Sequence, residues 1–72
     1  MKKVQEWELD ELYKRVSIAM SRFPELRHGQ AIFNEADSMW PDEVEKIRGT
    51  EDDCFYDDKK IKAFLGHFEI ER

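Results

Sequence analysis

The spacing of apolar residues predicts an amphipathic helix from about residue 5 to residue 22. Its apolar side chains recur every three or four positions and therefore share one face. Acidic residues dominate the first half of the segment and basic residues follow, an order that complements the helix dipole. Pro24 ends the pattern, because its ring clashes with a continuing helix. The shared face consists of Leu9, Leu12, Tyr13, Val16, Ala19, Met20 and Phe23.

Two further helices are predicted in the middle of the chain. Residues 27–30 are typical of a turn, and a second helix follows from about residue 30 to residue 39. Pro41 ends that helix and suits the first position of a third, short helix over about residues 41–48. Gly49 is a natural terminator for this short helix. The apolar face of the second helix comprises Ile32, Phe33, Ala36, Met39 and Trp40.

A fourth helix is predicted from about residue 57 to residue 70. Asp57 or Asp58 is expected to cap its N-terminus by accepting backbone hydrogen bonds. Its apolar stripe consists of Ile61, Phe64, Leu65 and Phe68, and Gly66 weakens it locally. The sequence shows no strand-like alternation of useful length.

These patterns predict an all-α fold, a small bundle of three helices plus one short helix in a single domain over residues 1–72. Residues 1–8 are either helical or flexible. A domain of this size buries only about 60% of the surface that its unfolded chain exposes, so oligomerisation is the expected source of any added stability. The expected core comprises Leu12, Val16, Phe23, Ile32, Phe33, Ala36, Ile47, Phe55, Phe64, Leu65 and Phe68.

The composition narrows the possible functions. The single cysteine, Cys54, excludes an intrachain disulfide and a four-cysteine zinc site. The net charge of −5 disfavours non-specific nucleic-acid binding, and the interspersed basic residues disfavour mimicry of a nucleic-acid backbone. There is no apolar run long enough to span a membrane and no apolar stretch behind Lys2 and Lys3, so a cytoplasmic location is expected.

Five carboxylates cluster within eight residues between the third and fourth predicted helices. They are Glu51, Asp52, Asp53, Asp57 and Asp58. A calcium or magnesium site is one interpretation, because hard cations take several oxygen ligands. The spacing does not match an EF-hand loop, and the glycine expected inside such a loop is missing. Turn formation and helix capping are therefore the favoured interpretation.

Several large apolar residues are candidates for contact with another molecule. Trp7 and Ile18 fall opposite the apolar face of the first helix, which favours an interface if residues 1–8 are helical. If they are not helical, Trp7 is expected to fold back over the core. Tyr56 is expected to be more exposed than its neighbour Phe55, and Trp40 is a further candidate anchor.

The remaining polar residues predict no catalytic centre. His28, His67 and Cys54 lack the spacing of a metal site or a nucleophilic pair. Cys54 is instead expected to be a small buried or half-buried residue. A second set, Gln30, Asn34 and Arg48, is predicted to support the 49–56 loop through hydrogen bonds.

Part of the chain resembles a pattern found in small uncharacterised bacterial and phage-encoded proteins. The resemblance covers about residues 26–65 and excludes the first helix. It rests on Arg27-His28-Gly29-Gln30, Asn34, Ile47-Arg48-Gly49-Thr50, Asp53-Cys54-Phe55-Tyr56-Asp57-Asp58, Ile61 and Phe64. The pattern usually has proline where this chain has Cys54. The resemblance implies no known activity. It suggests a phage or prophage origin, where small acidic proteins often bind and redirect host proteins.

The sequence therefore predicts a non-enzymatic protein-binding domain with no cofactor and no metal, and the resemblance suggests a phage-encoded modulator or inhibitor of a host protein complex. Trp7, Ile18, Trp40 and Tyr56 are the expected anchors. Carboxylates at Asp52, Asp53, Asp57 and Asp58 are expected to steer a partner with a basic surface. The main alternative is a self-associating domain that uses the Trp7 and Ile18 surface. Two others are a metal-dependent enzyme at residues 51–58 and a nucleic-acid mimic.

Overall fold

The computed structural model describes residues 1–71 and is mostly helical. The all-α prediction is confirmed at the level of fold class. Arg72, the last residue of the predicted domain, lies outside the described residues. In chain order, the elements are β1 (Lys2–Val4), α1 (Glu6–Arg22), α2 (His28–Met39), α3 (Pro41–Ile47), a 3₁₀ turn (Asp58–Lys60), α4 (Ile61–Leu65) and β2 (Phe68–Ile70).

The first helix begins where a glutamate satisfies a free backbone amide. The amide of Gln5 donates a hydrogen bond to Glu8 Oε1 at 2.8 Å, which is half of a capping box. Glu8 Oε2 also accepts a hydrogen bond from Trp40 Nε1 at 3.3 Å. The bond from Gln5, followed by the bond from Trp40, lowers the pKa of Glu8. Glu8 therefore ties the start of α1 to the junction of α2 and α3.

Trp40 links α2 to α3 through its backbone. Its amide donates to the carbonyl of Ala36 at 2.7 Å, and its carbonyl accepts from the amide of Val44 at 3.0 Å. Pro41 then opens α3, where its missing N–H costs nothing and its ring favours a helical φ. Trp40 itself is not helical, with φ −136° and ψ 65°, and α3 contributes the buried residues Val44 and Ile47 to the core.

The predicted fourth helix over residues 57–70 is wrong in its second half. The α-helix ends at Leu65, and after a turn the chain enters β2, which pairs in parallel with β1. The amide of Lys2 donates to the carbonyl of His67 at 2.7 Å, and the amide of Glu71 donates to the carbonyl of Val4 at 2.8 Å. Three-residue strands are too short to show the alternation by which strands are recognised in a sequence.

The core is one cluster that extends beyond the predicted set. Phe23 is 54% exposed, so its prediction as a core residue is wrong; it lies past the last residue of α1 with φ −128° and does not continue the helical face. Phe55 and Leu65 are only partly buried against the cluster. Residues outside the predicted core set complete it, namely Val4, Ala31, Trp40 and Val44, together with Cys54, for which the sequence predicts a buried or half-buried position.

The position of Trp7 decides between the two alternatives that the sequence left open for residues 1–8. Trp7 is the second residue of α1 and is 67% exposed, so it does not fold back over the core. Val4, in β1, is instead the buried apolar residue of this segment. Burial of Val4 and pairing of β1 with β2 anchor the segment that precedes α1.

Candidate functional site

The candidate site is the loop between α3 and the 3₁₀ turn, which carries the cluster of carboxylates and two adjacent aromatic residues. The loop leaves α3 through Gly49, which has a positive φ of 78° that residues with a side chain rarely adopt. Thr50 reinforces this turn, because its hydroxyl donates to the carbonyl of Ile47 at 2.6 Å. The same oxygen accepts from the amide of Asp52 at 3.2 Å.

The Asp53 side chain accepts hydrogen bonds from backbone amides on both sides of its own position in the loop. Its Oδ2 accepts a hydrogen bond from the amide of Gly49 at 2.7 Å, and its Oδ1 accepts from the amide of Phe55 at 2.9 Å. One side chain thus satisfies two backbone donors that the irregular chain would otherwise leave to solvent.

The other three aspartates connect the loop to neighbouring elements. Asp52 Oδ2 lies 2.8 Å from His67 Nε2, just before β2. Asp57 caps the 3₁₀ turn by accepting from the amide of Lys59 at 2.9 Å, as the sequence predicted for either aspartate. Asp58 Oδ1 accepts from the amide of Gly29 at 2.8 Å, in the first turn of α2. The carboxylates that the sequence offered for steering a partner are therefore also bonded within the fold.

Two aromatic rings stand side by side on this loop, with different exposure. Phe55 is partly buried and meets Phe33 of α2 edge to face, with ring centroids 5.5 Å apart. Tyr56 is 81% exposed, and its ring contacts Phe55 at 4.7 Å between centroids with the planes at 72°. The structure therefore agrees with the expectation that Tyr56 is the more exposed of the two.

Arg27 and Arg48 flank these rings. Arg27 Nη2 donates to the carbonyl of Phe55 at 3.0 Å. The guanidinium of Arg48 lies 5.0 Å from the centroid of Phe33, in a cation–π contact. A shallow cavity of about 300 Å³ opens between Arg48 and Tyr56, with Phe33 and Phe55 in its wall.

The predicted polar support of the loop is corrected by these contacts. Arg27 makes the hydrogen bond to the loop backbone, the role that the sequence predicted for Gln30, Asn34 and Arg48. Arg48 Nε instead pairs with Glu45 at 3.1 Å, and its Nη2 lies 3.5 Å from Asp37. The hydrogen bond to Glu45 is the main cause that raises the pKa of Arg48 above its usual value.

Cys54 lies at the centre of the loop but is poorly suited to act as a nucleophile. Its side chain is fully buried, and Sγ donates to the carbonyl of Gly29 at 3.2 Å. Burial, and then the charge of Asp53, raise the pKa of the Cys54 thiol to about 11. The thiolate needed for nucleophilic attack or metal binding is therefore disfavoured near neutral pH. Within residues 1–71, no group of three or more His, Cys, Asp or Glu side chains is placed to hold a metal ion.

The remaining candidate anchors lie elsewhere. Trp40 is only 5% exposed and its ring stacks on Phe68 at 4.7 Å, so its prediction as a surface anchor is wrong. Trp7 and Ile18 are both exposed on α1, but eleven residues separate them, which is about 16 Å along a helix. The ion pair between Glu11 and Arg15 lies between them in sequence. They therefore form two separate apolar spots.

Sequence reasoning missed two residues that shape the site. Gly29 approaches the loop so closely that a Cβ atom there would lie 2.3 Å from the carbonyl oxygen of Cys54. Arg27 supplies the bond to Phe55 described above. The apolar pattern predicts that α2 begins near residue 30, which places Gly29 in a turn. The helix in fact begins at His28, so Gly29 lies in its first turn.

Comparisons with known proteins identify no relative. No family model matches the chain, and neither a curated protein nor a solved structure matches it. Among the residues that the structure describes, no helix combines the length and the apolar character needed to cross a membrane.

Proposed function

We propose that this protein is a small binding domain without catalytic activity, and that it engages another protein through Tyr56. The observation that carries the proposal is that the Tyr56 side chain is exposed to solvent while the loop that bears it is ordered by hydrogen bonds. Tyr56 is 81% exposed, yet the loop that carries it is held by backbone hydrogen bonds from Thr50 to Ile47, from Asp53 to Thr50 and from Asp57 to Cys54. Tyrosine is enriched at binding hot spots, because it offers a large contact area together with a polar group.

The order of the loop supports binding because it lowers the entropy lost on association. Asp53 holds the backbone on both sides of Cys54, and Arg27 holds the carbonyl of Phe55. The Tyr56 ring also rests against Phe55. A side chain that is already restrained loses less freedom when a partner immobilises it.

The charge of the chain supports a partner with a basic surface. The net charge is −5, and both Glu51 on the loop and Asp58, which directly follows it, are exposed. Hydrogen bonding inside the loop does not remove the negative charge of a carboxylate, so the loop still attracts basic groups at long range. Trp7 and Ile18 supply separate secondary contacts on α1 in this proposal. Consistent with the resemblance to phage-encoded proteins, the partner would belong to a host complex in the cytoplasm, by analogy alone.

The test is affinity capture from a bacterial lysate with the tagged chain, at low and at moderate salt. The wild type is expected to retain a stoichiometric partner, and Tyr56→Ala is expected to lose it, because a hot-spot truncation costs about 2 kcal/mol or more. Phe23→Ala is the control, since Phe23 is also an exposed aromatic residue but lines a different cavity. Equal retention by the wild type and Tyr56→Ala would contradict the proposal.

The role of loop order is tested by a second pair of variants on the captured partner. Asp53→Ala keeps Tyr56 but removes both hydrogen bonds that hold the loop. Its affinity is expected to fall by about three- to tenfold, corresponding to the cost of ordering one or two side chains. Glu51→Gln removes the same unit of charge from an exposed position of the same loop. If both variants weaken binding equally, charge and not loop order explains the effect.

Self-association is separated from this proposal by light scattering. A mass that doubles with protein concentration, in the absence of any partner, and that is lost in Trp7→Ala would favour the dimer instead. The separation of Trp7 from Ile18 along α1 argues against one continuous patch for that purpose.

A further inference from the structure

The two-stranded sheet leaves one side of β2 without a partner strand. The hydrogen bonds at the two ends of the ladder use the amide of Lys2, the carbonyl of Val4, the carbonyl of His67 and the amide of Glu71. In a parallel ladder, alternate residues of a strand bond to one neighbour and the residues between them point to the other side. The backbone groups of Phe68 and Ile70 therefore point away from β1. Within residues 1–71, the sheet has no third strand.

A groove of about 520 Å³ runs beside this strand. All three residues of β2 line it, together with Leu65 of α4. Leu9 and Tyr13 of α1 and Lys3 of β1 complete the lining, with Tyr13 about half exposed. The groove thus combines apolar side chains with the unpaired edge of a strand, which is the arrangement that accepts an added β-strand.

A parallel sheet of two short strands is an unusual structure to stand alone. Parallel sheets normally have several strands, and isolated strand pairs are only marginally stable in water. An added strand on β2 would give each backbone group of Phe68 and Ile70 a bonding partner. We propose that the free edge of β2 binds an extended segment of a partner protein in which apolar and basic residues alternate.

The charges at the edge select this occupant. Glu69 is exposed and already pairs with Lys3, its register partner on β1. A basic residue therefore suits the position opposite Glu69 in a neighbouring strand. The second carboxylate oxygen of Glu69 can take another cation from the other side. Glu71, also exposed, adds a second negative charge next to β2. Apolar residues on either side of the basic residue would enter the groove against Tyr13.

The same charges disfavour a second copy of this chain as the occupant. Two copies of β2 paired antiparallel about a two-fold axis through Glu69 would place the two Glu69 side chains opposite each other. Like charges in directly opposed positions destabilise a strand pair. This site is distinct from the Tyr56 loop, and it does not depend on the function proposed there.

The test uses a short capped peptide of alternating valine and lysine, with the full chain and amide hydrogen exchange read by NMR. The amides of Phe68 and Ile70 are expected to exchange fast in the free protein and to become protected by the peptide. The amide of Glu71 is the internal reference, because its bond to Val4 exists without any peptide. A peptide of alternating valine and glutamate is expected to give no protection.

Variants separate the backbone edge from general charge attraction. Ile70→Pro removes an edge donor but leaves the Glu71 bond to Val4, and it is expected to abolish protection at Phe68. Should Ile70→Pro fail to fold, Glu69→Gln is expected to weaken the lysine peptide by about two- to fivefold, as a cross-strand charge pair would. Tyr56→Ala is expected to bind the peptide as the wild type does.

Three results would overturn the inference. The first is unchanged exchange at Phe68 and Ile70 while the peptide perturbs other acidic surfaces. The second is equal binding of the glutamate peptide. The third is protection of both amides in the peptide-free protein together with a dimeric mass, which would identify a second copy as the occupant.

Discussion

Gly29 and Cys54 lie in direct contact, and this contact joins the first turn of α2 to the centre of the candidate loop. Cys54 Sγ donates to the carbonyl of Gly29 at 3.2 Å. A Cβ atom at position 29 would lie 2.3 Å from the carbonyl oxygen of Cys54. Only glycine fits at this approach, because the neighbouring atom belongs to the backbone and cannot rotate away.

The Gly29→Ala variant is expected to be destabilised by about 1–3 kcal/mol, since the added methyl group forces the loop and α2 apart. Urea unfolding followed by circular dichroism measures the change. Asn34→Ala is the control in the same helix, and it is expected to be neutral or slightly stabilising because Asn34 is exposed and alanine favours helices. A Gly29→Ala protein as stable as the wild type would show that the contact is loose in solution.

Truncation of the two tryptophans is expected to change the stability of the protein by very different amounts. Trp40→Ala removes a buried ring that stacks on Phe68, at a cost of about 3–5 kcal/mol, which would unfold much of so small a domain. Trp7→Ala removes an exposed ring and is expected to change stability by less than about 0.5 kcal/mol. Denaturant titration of both variants tests this, and similar losses in the two would contradict the placement of Trp7.

The acidic loop is expected to contain both structural and free carboxylates. Asp58→Ala removes the acceptor for the amide of Gly29 and is expected to cost about 1 kcal/mol, as the loss of a helix cap does. Glu51→Ala removes an exposed carboxylate in the same loop and is expected to change stability little. Thermal unfolding of the two variants measures the difference. Equal midpoints would indicate that the bond to Gly29 contributes nothing.

The buried thiol predicts a loss of stability at alkaline pH. Because burial raises the pKa of Cys54 from an ordinary 9.0 to about 11, the unfolded chain loses this proton first. The contribution is fully present below pH 9 and is lost as the pH rises toward 11. Unfolding of wild type and Cys54→Ala across this range tests it, and parallel pH profiles would contradict it.

Thiol alkylation checks the same feature independently. Native protein at pH 8 is expected to react with iodoacetamide far more slowly than the unfolded chain does, because Cys54 is both buried and protonated. Fast alkylation of the native protein would mean that the loop opens readily.

Sequence periodicity by itself determined the long helices. The apolar stripe of α1 and the prolines at 24 and 41 predicted helix positions to within about two residues, because periodicity and proline sterics act locally along the chain. Capping by Asp57 or Asp58 was predictable for the same reason, and the structure shows that Asp57 is the capping residue. The relative exposure of Phe55 and Tyr56 was also expected from the sequence.

Only the tertiary structure decided which distant residues meet. The paired residues of β1 and β2 are 66 positions apart in the sequence, and each strand is too short to leave a recognisable pattern. Trp40 shared the apolar face of α2, but its burial depends on Phe68 at the far end of the chain. The role of Gly29 likewise depends on Cys54, 25 residues later. Such contacts follow from packing between elements, which local spacing does not encode.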